Sequence, residues 1–425
     1  MNNYSIIAII LLIILISVHL YYYYEDLQTY CCKSEINNVE NFSQNKIPII
    51  IGFRSIKSNK LYYGVECKYI KNDAFYTVLD NLGYKKTLNI NDASLIVPCT
   101  YDVVDNEVKN INKVIGNNIF GNHVRIFMLN NTDYIVNKMM LWLILEKTYG
   151  TEIASTIMPI AYDLSNPEKF KKNYKKGCIY ILKNNKQRQE GLKISKNYDE
   201  IINSNGKFLL AQELLQNPYC IDGYKINLRV YCLVIKDSFG NYNLQIYNNG
   251  IVYYTNEKFI KGDPSFKKNI TTGYNDGTIW DNHPFTHHEF REYLDNPNRK
   301  MTDIEKHISK ERTLSNYIFH QIYSLMKFVY KPYIEILGSN TKGVGFQLYG
   351  ADIGINDDLK PTLMEINKGP DITIKDYEKH KYLKLELMTS VLQSVGLIED
   401  QTNNNFIKVS EELNIDDNIY TVDIF

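Results

Sequence analysis

From Ile6 to Leu20 the chain is almost unbroken Ile and Leu, interrupted only by Ala8, Ser17, Val18 and His19. With Tyr4 and Tyr21 to Tyr24 at its flanks the stretch reaches about 20 residues, enough for a helix to span a bilayer. The tyrosines suit the interfacial aromatic belt. No basic segment precedes it and no small-x-small site follows, which disfavours a cleaved signal peptide. The pattern predicts a single transmembrane anchor over 1–24 and a polar tether over 25–46. No Lys or Arg lies before Lys33, and Lys33 and Lys46 follow the span, so the charge bias predicts a single-pass protein with its body in the cytoplasm. Sequons at Asn41, Asn130 and Asn269 would permit a luminal body, but such triplets arise by chance in an Asn-rich chain.

Beyond the tether the periodicity changes. Ile49 to Phe53 and Ala93 to Val97 read as buried strands, with helical spacing over Asp73 to Leu82 between them. These predict a small N-terminal α/β domain over 47–123. Val124 to Met128 is a further strand, and Asp133 to Lys147 a helix. Cys178 to Leu182, Phe208 to Ala211 and Leu228 to Ile235 read as strands, and Thr313 to Ile336 as a helix interrupted at Pro332. Strands and helices mix without strict alternation, which predicts an α+β body over 124–395 and leaves 396–425 as a tail.

Composition narrows the function. Lys plus Arg balance Asp plus Glu at 48 each, whereas nucleic-acid binders usually carry a basic excess, so no nucleic-acid partner is expected. The seven cysteines include no CxxC and form an odd set, which argues against a disulfide framework or zinc knuckle. The 35 tyrosines belong to a chain-wide bias.

Candidate chemistry concentrates in Phe346 to Pro370. Two strand-like runs flank the turn formers Asn356 to Pro361. A hairpin centred near Asp358 and Leu359 places Asp352 opposite Glu365, and Glu365 shares a face with Asn367. Two carboxylates and an amide oxygen then converge, a hard-oxygen set suited to Mg²⁺ that also touches phosphates. The alternative is a solvated edge hairpin. A second cue is the stretch Lys169 to Lys196, with ten basic residues and one acid, Glu190. Within it an apolar strand runs straight into Lys183 and a loop, a plausible phosphate contact beside an otherwise solvated face.

Taken in order, these segments resemble the tubulin–tyrosine ligase-like family of the ATP-grasp superfamily. Gly223 to Val234, GYKINLRVYCLV, is similar to the family's GxKFDLRxYVLV block. FQLYGADIGINDDLKPTLMEINKGP is similar to its FELYGxD...LKPxLLEVNxxP block. Tyr180 to Lys183 resembles its WxxKP strand, and Ala211 to Leu215 stands where its QKYI adenine hinge belongs. Val136-Asn137-Lys138 before an amphipathic helix, then Met158-Pro159 with Tyr162, resembles its lysine, helix and PxT/Y entry.

The resemblance implies an ATP-grasp fold binding ATP and Mg²⁺ between two β-containing lobes. It implies a ligase joining a free amino acid to a protein carboxylate, on tubulin or a similar acidic tail, through an acyl phosphate. Lys138 and Lys183 would hold phosphates; Gln212, Glu213 and Leu214 would form the adenine hinge; Lys225 would lie against the nucleotide. Asp352, Glu365 and Asn367 would bind Mg²⁺, and Arg229 would be catalytic, meeting the charge of the transferred group. The basic stretch, with Lys258, Lys261, Lys267 and Lys268, would attract the acidic acceptor.

Several positions depart from the family pattern. The acid of KFDLR is Asn227, and the proline after the strand lysine is Asn184. The RGxGI loop reads Glu190 to Ile194, with Lys193 replacing a glycine and offering an electrostatic substitute. The HLTN block corresponds to Asn269 to Thr272. An intact metal end with a drifted substrate end fits either altered substrate choice or a membrane-tethered, nucleotide-binding scaffold without ligase activity. A third reading is an ATP-grasp ligase acting on small molecules or peptides.

Overall fold

The computed structural model describes residues 60–64, 73–97, 123–184, 191–272, 278–334, 336–337, 343–375, 377–398 and 404–409. The apolar stretch at 6–20 and the strand expected at 49–53 lie outside them. Among the described residues no helix is long and apolar enough to cross a membrane.

The described strands run in chain order β1 (Leu61–Gly64), β2 (Lys85–Lys86), β3 (Leu95–Val97), β4 (Arg125–Ile126), β5 (Ala161–Asp163), β6 (Tyr180–Lys183), β7 (Leu192–Ser195) and β8 (Leu210–Glu213). They continue with β9 (Cys220–Ile221), β10 (Tyr224–Lys236), β11 (Tyr242–Thr255), β12 (Thr271–Thr272), β13 (Val344–Ile355), β14 (Pro361–Lys368) and β15 (Phe406–Lys408). Two sheets form, giving a mixed α/β fold. The large one orders as β12-β11-β10-β13-β4-β3-β1-β2, with β14 on β13, β15 on β11 and β9 on β10. The small one is antiparallel, ordered β5-β8-β6-β7.

Strand β13 joins the two halves of the large sheet. One edge pairs antiparallel with β10 along its length. The other edge is shared between β4, parallel at Val344 and Gly345, and β14, antiparallel from Tyr349 onward. Beyond β4 the pairing is parallel through β3, β1 and β2. The sheet therefore continues without a break from the small N-terminal α/β region into the hairpins. Stacked Phe127 and Phe346, 4.8 Å between ring centres, cross that junction, and Phe75 packs on Phe127 at 5.1 Å.

Helix α1 (Ala74–Asn81) forms where the spacing predicts it, with Asp73 as N-cap accepting from the Phe75 amide. The helix read as Asp133 to Lys147 is two helices. Helix α2 (Asp133–Val136) ends at Asn137, whose extended backbone restarts the chain as α3 (Lys138–Ile157). The Asn137 side chain accepts from the amides of Met139 and Met140, satisfying orphan donors of the new helix start. Helix α4 (Leu314–Tyr330) gives way to a 3₁₀ turn over Lys331–Tyr333 because Pro332 has no amide to continue the ladder. Helix α5 (Glu378–Ser394) closes the described fold against α1 and β11. One apolar core runs from Phe75 and Leu79 through Trp142, Leu233, Ile322, Leu348 and Ile353 to Leu387. A second, built around Tyr162, Phe170 and Tyr180, lies under the small sheet.

Candidate active site

The hairpin of β13 and β14 brings Asp352 and Glu365 together as register partners. Its geometry differs from a simple mirror, because Ile353 pairs with Leu363 and Met364 is left as a bulge. The extra residue is what aligns the carboxylates: the turn proper is centred one half-step away from the axis of the outer pairs. The bulged Met364 carbonyl accepts from Lys183 Nζ at 3.4 Å. Asn367 lies on the Glu365 face, donating Nδ2 to Glu365 Oε1 at 3.2 Å. That bond leaves the Asn367 carbonyl oxygen for another partner.

Strand β10 supplies the next side chains. It starts from Asp222-Gly223, both at positive φ (50° and 89°), the two-residue turn that joins β9 to β10. Arg229 lies opposite Asp352 and binds it through two bonds, Nε to Oδ1 at 2.6 Å and Nη2 to Oδ2 at 3.1 Å. Its guanidinium stands 5.3 Å from the centre of the Tyr253 ring. Gly350 makes room for this pose, since a Cβ there would lie 3.1 Å from Arg229 Cδ.

Three lysines converge on the same place. Lys138, first residue of α3, has Nζ 4.0 Å from Glu365 Oε2 and 3.4 Å from the Asn184 carbonyl oxygen. Lys183, at the end of β6, is 4% exposed, and Lys225, on β10, is 1% exposed. Burial pushes Lys183 down to about 8, with Glu365 pulling the other way and Lys138 adding to the fall. Burial pushes Lys225 down to about 8 as well, opposed by Cys220 and reinforced by Lys183. Burial also raises Asp352, against the pull of Arg229, while Lys138 and Lys183 outweigh burial at Glu365 and hold it low. The result is a half-buried mixed-charge cluster assembled from both sheets and the start of α3.

The residues read as an adenine hinge have other partners. Gln212 donates to the Pro159 carbonyl at 3.0 Å. Glu213 accepts from Tyr162 and pairs with Lys175 at 3.0 Å. The Leu214 amide donates to the Ile179 carbonyl at 2.9 Å. Sequence reasoning did not single out Tyr253, because placing it beside Arg229 requires the register of β10 on β11.

Two charge expectations need correction. Lys193 does not replace a phosphate contact: it is exposed on β7 and pairs with Glu200 at 2.6 Å. The remaining glycine of that loop, Gly191, is at φ 69°, and a Cβ there would fall 2.1 Å from the Asn184 side chain. The basic surface is also less positive than its sequence count. Lys169 pairs with Glu146, Lys171 with Glu168 and Lys175 with Glu213. Lys267 faces Glu257 at 3.8 Å and Lys268 binds Asp263 at 2.6 Å. Asn269 is buried, its amide donating to the carbonyls of Asp263 and Ser265, which removes it as a glycan acceptor.

Two sheets meeting over buried lysines and two facing carboxylates define a mixed α/β protein with charged groups of both signs gathered at one place. The sequence model of the tubulin-tyrosine ligase family matches residues 118–404, and the chain belongs to that family. A rat protein named probable tubulin polyglutamylase TTLL9 is 30% identical over 199 residues, covering 44% of this chain and 38% of that protein. Human tubulin polyglutamylase TTLL7 is 24% identical over 360 residues, covering 79% of this chain and 38% of its own length. The zebrafish tubulin polyglutamylase ttll6 is 22% identical over 201 residues, covering 45% of this chain and 25% of that protein. The matches thus span well under half of these relatives.

Proposed function

We propose that this chain is an ATP- and Mg²⁺-dependent ligase of ATP-grasp type, joining an amino acid to a carboxylate on an acidic protein tail, with tubulin as the first candidate. Family membership supports the ligase class. The observation that carries the chemistry is the cluster of Arg229, Asp352, Glu365, Lys138 and Lys183. The donor set fits the metal: two carboxylates and an amide oxygen are hard ligands, and each Asp352 oxygen keeps a lone pair beyond its bond to Arg229. Asp352, Glu365 and Asn367 would hold Mg²⁺, which supplies charge neutralisation at the phosphates.

The protein's own groups do the rest. Lys138, Lys183 and Lys225 hold phosphate oxygens in a water-poor cleft, where each contact is strong. Gln212, Glu213 and Leu214 border the base. Arg229, rigid between Asp352 and Tyr253, faces charge that builds as ATP phosphorylates the acceptor carboxylate and the amine attacks the acyl phosphate. The names of the relatives make glutamate the first amino acid to test. The apolar run at 6–20 would tether the ligase to a membrane, its body in the cytoplasm. The test is ATP-dependent transfer of a labelled amino acid to such a tail.

This reading makes nucleotide affinity depend on pH. Phosphate contact requires charged lysines, yet Lys183 and Lys225 are held near 8 in the free protein. Bound phosphate raises both, so binding takes up protons once the pH passes that value. ATP affinity should fall as pH rises through about 8, by up to about tenfold per unit for each lysine that must charge. Titration calorimetry in buffers of different ionisation enthalpy reads the uptake. A constant affinity across the window, without proton uptake, would contradict the assignment.

A further inference from the structure

Lys384 is a buried amine that the cluster leaves unexplained. It sits on α5, 1% exposed, where an apolar side chain would fill the space without desolvating a charge. Its Nζ donates to the Tyr231 hydroxyl and to the Asp371 carbonyl oxygen, and stands 4.8 Å from the Tyr231 ring centre. The charges around it are Asp371 and Lys375 after β14, Arg229 on β10 and Asp73 ahead of α1. His380, one turn earlier on α5, is pushed down to about 3 by burial and by Lys384, and is neutral.

One acceptor, Tyr231, begins a row across three strands, and the other, Asp371, follows the last of them. Tyr231 pairs with Gly350 on β13, and Gly350 pairs with Asn367 on β14. The next row on the same face, two residues along, is Arg229, Asp352 and Glu365. Just past β14, Gly369 at φ 61° and Pro370 turn the chain, and a Cβ on Gly350 would lie 2.9 Å from Pro370 Cβ. From the other side the Ala74 amide donates to the Ile372 carbonyl, and Asp73 bridges Thr373. Lys384 is the donor that ties the β10 end of this row to the exit of the strand bearing Glu365 and Asn367. Apolar contact could fill the site, but it would not fix one segment's height against the other as two directional bonds do.

We propose that Lys384 is a positioning residue for the metal-binding hairpin: by tying Tyr231 to the Asp371 carbonyl it holds Asn367 and Glu365 in register with Asp352. The proposal rests on the reading that these three residues bind the metal. Supporting groups behind metal ligands commonly set affinity by about 10–100-fold when removed.

The experiment measures Mn²⁺ binding to the full chain with ATP, from the free-ion electron paramagnetic resonance signal, alongside ATP binding without metal and thermal melting. In Lys384→Met, Mn²⁺ affinity should fall about tenfold or more while metal-free ATP binding holds. A lowered melting temperature with unchanged Mn²⁺ affinity in the folded protein would make Lys384 merely structural and overturn the proposal. Should the methionine variant fail to fold, Tyr231→Phe decides, since it keeps the lysine and removes one tie. A weaker Mn²⁺ site there supports the proposal, and an unchanged one overturns it. Failure of the wild type to bind Mn²⁺ with ATP would instead bring down the metal reading itself, and the proposal with it.

Discussion

Glu365→Gln should weaken Mg²⁺-dependent ATP binding by at least about tenfold and leave the protein folded. The substitution keeps the shape and removes the charge that faces Lys138 at 4.0 Å and supports Lys183. It also removes one of the two carboxylates offered to the metal. The fold survives because Lys183 already sits near 8: losing Glu365 lowers it further, so the lysine sheds its proton rather than remaining an uncompensated buried charge. Calorimetry with and without Mg²⁺, beside a melting curve, checks both halves. Unchanged Mg²⁺–ATP affinity would remove Glu365 from the metal site.

The second large effect is expected at Arg229. Arg229→Met should lower the rate of transfer by about 10²–10³, the usual cost of losing one preorganised charge at the reacting centre. It should also destabilise the free protein by about 3–5 kcal/mol, because Asp352 would remain buried without its two-bond partner. The pH dependence has a definite sign. Without Arg229, burial and Glu365 raise Asp352 still further above its unfolded value. Between the two values the folded state holds the extra proton, so the variant loses stability as pH rises from about 4 upward. Urea melts of wild type and variant should therefore lie closest together at low pH. A gap that does not grow with pH would show that Arg229 does not hold that carboxylate.

The site was most legible where chemistry follows local periodicity. Period-two alternation placed Glu365 and Asn367 on one face, and Asp352 does fall opposite Glu365, although the bulge and not the turn centre puts it there. The bulge at Met364 was not legible, since an extra residue in one strand leaves the apolar pattern nearly intact. Helix α1 followed from its spacing and Asp73 cap. The break at Asn137 was hidden because apolar spacing continues through it, although an Asn before Lys138 is itself a capping signal. Groups that converge through long-range register were beyond reach. Tyr253 meets Arg229 only through the β10–β11 pairing, and Lys384 meets Tyr231 from a helix 153 residues further on. Local charge counting misjudged the basic stretch, because the acids that match Lys169, Lys175 and Lys193 come from elsewhere in the fold or fall just outside the stretch's strands.

The measurement closest to the central claim is transfer itself. The full chain is incubated with ATP, Mg²⁺ and tubulin, and with labelled glutamate, tyrosine or glycine in separate reactions. The wild type should place one of these amino acids on tubulin in an ATP-dependent manner, and Glu365→Gln should not. A wild-type chain that binds Mg²⁺–ATP yet transfers none of the three would contradict the ligase reading and leave a nucleotide-binding scaffold in its place.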